Sequence, residues 1–84
     1  MYKNRAKNGK LNLCGKQISR LRTALSPSTS QRALADQLQL RGLDLDKNAI
    51  QRIETGKRFV TDIELRAFAA FFEVSVEELL REEE

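Results

Sequence analysis

Lys47, Asn48, Gln51 and Arg52 stand within six consecutive residues, the last three lying one, four and five positions after the first. Read as helix, Lys47 lies one turn from Gln51 and Asn48 one turn from Arg52, so all four share an outward face. Their side chains suit one kind of surface. Arg and Lys donate to guanine O6 and N7, and Asn and Gln pair with adenine N6 and N7. Ile50 and Ile53 fall on the opposite side and supply the apolar anchor. The segment DKNAIQRIET, residues 46–55, is expected to be a short helix with Asp46 as its N-cap and Gly56 as its stop. At about two and a half turns it depends on packing for its stability.

Four more elements must hold it. Cys14, Ile18, Leu21 and Leu25 recur at helical spacing, and Ser26-Pro27-Ser28 closes that first helix. Ser30 caps a second, SQRALADQLQL, with Leu34, Ala35 and Leu38 inward and Gly42 as its end. Thr61-Asp62-Ile63-Glu64 and Ser75-Val76-Glu77-Glu78 read as two capping boxes. The fourth helix offers Ile63, Leu65, Phe68, Ala69 and Phe72 to a core, and the fifth Val76, Leu79 and Leu80. Strand alternation is missing throughout. The expected fold is all-α: five short helices over residues 12–84, preceded by a flexible basic arm over residues 1–11.

Composition excludes much else. The 84 residues contain no His and one Cys, so a neutral-pH imidazole base, an internal disulfide and a thiolate metal cluster are ruled out. We expect no enzyme, no cofactor and no metal site. Cys14 reads as a small core hydrophobe. No apolar run nears the roughly 20 residues of a membrane span, and the polar start lacks a signal-peptide core, so a soluble cytoplasmic chain is expected. Charge is unevenly placed. Residues 1–60 carry 13 basic and 4 acidic side chains, whereas residues 61–84 carry 2 and 8. The front therefore suits a polyanion and the tail suits solvent or a protein partner.

Two helices joined by a glycine-containing link, the second short and polar outside, describe a helix-turn-helix. The pieces CGKQISRLR, SQRALADQL, NAIQRIETGKR and FAAFFEVSVEELL occur in the order of the Cro/C1-type helix-turn-helix family of phage repressors and bacterial regulators, which residues 14–80 resemble. The string from Ile50 through Ile53-Glu54 to Gly56-Lys57-Arg58 is the most specific part. The resemblance implies a five-helix repressor-like fold and double-stranded DNA binding. It implies base contacts for Lys47, Asn48 and Arg52, with Gln51 beside them. Gln31, Lys57 and Arg58 match phosphate-contacting positions, and the charge distribution adds Arg32 and Lys16. Glu54 matches an acid that ties the helix to its neighbours. One departure stands out: family members pass from the last core residue of the second helix to the isoleucine of the third in about seven steps, and here Leu38 to Ile50 takes twelve. Either the second helix runs on through Leu40 and Arg41 or the turn bulges, with Leu45 in both cases as the apolar turn residue.

The expectation is a sequence-specific transcriptional regulator that binds as a homodimer, because one such module alone binds weakly. The alternative is a protein-interaction module on the same fold, an antitoxin or anti-repressor acting through its acidic end. The phenylalanine cluster Phe68, Phe71 and Phe72 reads mainly as core.

Overall fold

The computed structural model describes residues 5, 6 and 8–81; Tyr2, Lys3 and Lys7 of the basic arm and Glu82, Glu83 and Glu84 of the acidic tail lie outside the described residues. The described chain is all-α. Its five helices are α1 (Gly15–Ala24), α2 (Gln31–Leu40), α3 (Lys47–Glu54), α4 (Asp62–Phe72) and α5 (Val76–Leu80). Among the described residues, no helix is long and apolar enough to cross a membrane.

Local chemistry sets the boundaries. The Ser30 hydroxyl accepts from Ala33 N at 3.0 Å, and the Asp46 carboxylate from Ala49 N at 2.8 Å. Each satisfies one of the backbone donors that a helix start leaves open. Thr61 and Glu64 form the complete reciprocal box expected of them. The box expected at α5 is only half made. Ser75 accepts from Glu78 N, but the Glu78 carboxylate turns to Arg81 at 3.0 Å. α2 and α3 end alike. After α2, Gly42 N reaches Gln39 O and Leu43 N reaches Leu38 O; after α3, Gly56 N reaches Ile53 O and Lys57 N reaches Arg52 O. Both patterns need a left-handed residue, supplied by Gly42 (φ 89°) and Gly56 (φ 77°).

The core joins Cys14 and Ile18 of the first stripe to Leu34, Ala35 and Leu38 of α2, Ala49, Ile50 and Ile53 of α3, Phe68 and Ala69 of α4, and Leu79 of α5. α3 packs on α2 and α1, while α4 packs on α5 and α1. Three expected core residues lie outside: Ile63 is 73% exposed, Leu80 38% and Val76 36%. On α4, Ile63 is two positions from Leu65 and five from Phe68, which turns it away from the stripe those residues form. On the five-residue α5 only Leu79 is buried.

The long connection resolves into an extra helical turn followed by a short strap. α2 continues to Leu40 before Gly42 stops it. Leu45 is buried, Leu43 is half-buried, and the Arg41 guanidinium lies 5.3 Å from the centre of the Phe71 ring. The extra turn also carries Leu40 out into solvent, where it is 81% exposed.

The arm is not free along its whole length. In its described part, Ala6 N donates to Lys10 O and Gly9 N to Ala6 O, while Leu11 N donates to Gly56 O at 2.8 Å. Residues next to α1 are therefore docked on the end of α3.

Candidate nucleic-acid interface

α3 divides cleanly into two faces. Ala49, Ile50 and Ile53 are buried, and Lys47, Asn48, Gln51 and Arg52 are exposed. The four outer side chains make no hydrogen bond or ion pair with other described residues. Lys47 stands in the first turn, where the helix dipole disfavours a cation. The Asp46 cap offsets this in part, and an anion from outside would offset the rest.

Around this face the structure gathers some expected residues and not others. Arg32, Asp36 and Gln39 of α2 border, with Asp46, Lys47 and Asn48, a shallow cleft of about 290 Å³. Arg32 and Lys57 are exposed with no partner among the described residues. Lys16 is also exposed but borders a different cleft of about 410 Å³, together with Lys10, Gln17 and Arg81.

Two expected phosphate ligands are engaged inside the fold. Gln31 Nε2 donates to Glu54 Oε1 at 2.9 Å, so only one of its two amide hydrogens is uncommitted. Arg58 forms a two-pronged pair with Glu64, at 2.9 and 3.1 Å, and also donates to Phe59 O. The pair holds Arg58 protonated, its pKa above the ordinary value. Partial burial pushes the Glu64 carboxyl up, but the bonds from Arg58 and from Thr61 outweigh it and leave its pKa lowered. Arg58 thus braces the start of α4.

Glu54 ties three helices, as its place in the sequence suggested. Arg22 Nε meets Glu54 Oε2 at 2.7 Å and Nη2 meets Oε1 at 3.0 Å, while Gln31 adds the bond from α2. Arg22 also donates to Thr29 O, fixing the link between α1 and α2. The base of α3 is therefore rigidly placed while its outer face is left open.

Asn12 is the residue that sequence reasoning passed over. Its Nδ2 donates to Ile53 O at 3.0 Å and Arg58 O at 2.8 Å, and its Oδ1 accepts from Gly15 N at 2.8 Å. The last bond caps α1, for which Cys14 offers no side-chain acceptor. An asparagine three residues ahead of a helical glycine is a usable N-cap signal. Its bonds to residues 41 and 46 positions away have no local signature.

Cys14 is 1% exposed, and burial pushes its thiol pKa up to about 11, so the thiolate that would react or bind metal is scarce near neutrality. Among the described residues, no group of three or more His, Cys, Asp or Glu is arranged to hold a metal ion. No protein-family model matches the chain, and comparison with curated proteins and with solved structures gives no significant match.

Proposed function

We propose that the protein is a sequence-specific double-stranded DNA-binding transcriptional regulator acting in the cytoplasm, with α2 and α3 as a helix-turn-helix and α3 as the recognition helix. The observation that carries this reading is the outer face of α3. It offers two cations and two amides that nothing else among the described residues engages, on a helix fixed from behind by Ile50, Ile53 and Glu54. Lys47, Asn48, Gln51 and Arg52 read base edges in the major groove. Arg32 and Lys57 hold phosphates and set the register, with Lys16 and the cations of the arm adding to the general attraction. Gln31 joins them through its second amide hydrogen. Arg58 takes part only if it leaves Glu64. The resemblance of the order of motifs to that of the Cro/C1-type family supports the same reading. The chemistry is binding without catalysis.

A single module of this size has modest affinity, so the active form is a homodimer on a two-fold site. Selection of binding sites from random duplex DNA tests this. The expected result is a palindromic motif with half-sites about one helical turn, ~34 Å, apart, whose affinity falls steeply with salt. Recovery of unenriched sequence, or binding indifferent to salt, would contradict it.

A second reading, a protein-interaction module of the antitoxin or anti-repressor kind, draws on Val76 and Leu80, which lie exposed among Glu73 and Glu77. It predicts a complex that survives high salt and is lost on Leu80→Asp while duplex binding persists.

A further inference from the structure

Three consecutive residues ahead of α1 occupy four carbonyl oxygens at the exit of α3. Lys10 Nζ donates to Thr55 O at 3.0 Å and Leu11 N to Gly56 O at 2.8 Å. Asn12 Nδ2 donates to Ile53 O at 3.0 Å and to Arg58 O at 2.8 Å. α3 does not need these bonds in order to end, because Gly56 N and Lys57 N already supply the two closing bonds of its C-terminus. What the extra donors add is a fixed relation between the end of α3, the loop through Lys57 and Arg58, and the start of α1. The contact is close: a Cβ on Gly15 would run into the Ile53 carbonyl oxygen.

We infer that Asn12 is a positioning residue for α3: by holding the carbonyls of Ile53 and Arg58 while capping α1, it fixes the rotation of the recognition face and the place of Lys57 beside it. The inference rests on the proposed reading of α3 as a base-reading helix. Asn12 is not on the outer face of α3 and is assigned no contact with DNA. Its effect therefore falls on discrimination between sequences, which requires the four side chains in register, more than on general attraction to phosphates.

The test uses the full chain with Asn12→Ala and Asn12→Asp, against Leu79→Val as a control that loosens the core at α5. Asn12→Asp keeps an acceptor for Gly15 N and removes both donations, so it separates the cap from the clasp. Affinity for a selected duplex and for a scrambled duplex is measured at one salt concentration, at a temperature where circular dichroism finds every variant folded. Amide hydrogen exchange of the free proteins is recorded in parallel. Both Asn12 variants are expected to lower the ratio of selected to scrambled affinity about tenfold, the scale of one or two lost hydrogen bonds. Leu79→Val is expected to leave that ratio unchanged. Exchange should rise at Gly56 and Lys57 more than at Leu34 and Leu38. An unchanged ratio in Asn12→Asp, whatever Asn12→Ala does, or the same drop in Leu79→Val, overturns the inference. If the wild-type protein prefers no duplex, the proposed function fails instead. Exchange then decides the clasp: a selective rise at Gly56 and Lys57 upholds it, and a uniform rise refutes it.

Discussion

Arg52 and Lys57 lie five residues apart, yet they stand in different physical situations. Arg52 is in the last turn of α3, exposed, on the face opposite Ile50 and Ile53. Lys57 follows the helix, in the loop whose backbone Asn12 and Gly56 define. A guanidinium on a helical face can match the two acceptors of one guanine, whereas an ammonium in a loop acts as a point charge. Arg52→Ala is therefore expected to cost ~1–3 kcal/mol at one base position and relax preference there. Lys57→Ala should weaken all sequences alike and reduce the salt slope by about one. Gel shifts on the selected duplex and its single-base variants, over a range of salt, separate the two effects. Arg58, adjacent in sequence, should behave differently from both, since removing it unpairs Glu64 and loosens α4.

The helices show how far the sequence could be read. Ser30, Asp46 and Thr61 announced their helix starts, and Gly42 and Gly56 their ends, because capping is a local transaction between near neighbours. The exposed face of α3 was legible for the same reason: two buried isoleucines three apart fix which way the rest must point. Contacts between distant segments were not legible. Nothing near Asn12 signals Ile53 or Arg58, and nothing near Gln31 signals that its amide meets Glu54. The apolar character of Ile63 suggested core, but its angular place on α4 puts it in solvent. Two predictions belong to this scale. Gly15 lets α1 and α3 approach with no side chain between them, and the atom it would strike is backbone that cannot swing away. Gly15→Ala is expected to destabilise the fold by ~1–3 kcal/mol, read as a lower denaturant midpoint with unchanged m-value. At α4, the Glu64 carboxyl titrates below its ordinary value of 4.5. A group with a depressed folded pKa stabilises fully above its unfolded value and loses that contribution as pH falls through the folded one. Thermal stability should thus decline on acidification below about pH 4.5, and Glu64→Gln should flatten that part of the profile.

Across the whole molecule, 13 of the 15 basic side chains precede residue 61 and 8 of the 12 acidic ones follow it. A charge distribution this uneven along the sequence favours attraction of a polyanion to the first 60 residues over the last 24. The described body measures 41 × 26 × 18 Å. Its 26 Å width is smaller than the ~34 Å between half-sites one helical turn apart, so the proposed pair of protomers would fit side by side along one face of a duplex. The most direct measurement is a nuclear magnetic resonance titration of the labelled chain with a short duplex, following every backbone amide. The account predicts that the largest shift changes fall on residues 46–52, with Arg32 and Lys57 next, and that they fade as salt rises. Changes concentrated on α5, or none at any residue of α3 while the duplex is bound, would contradict it.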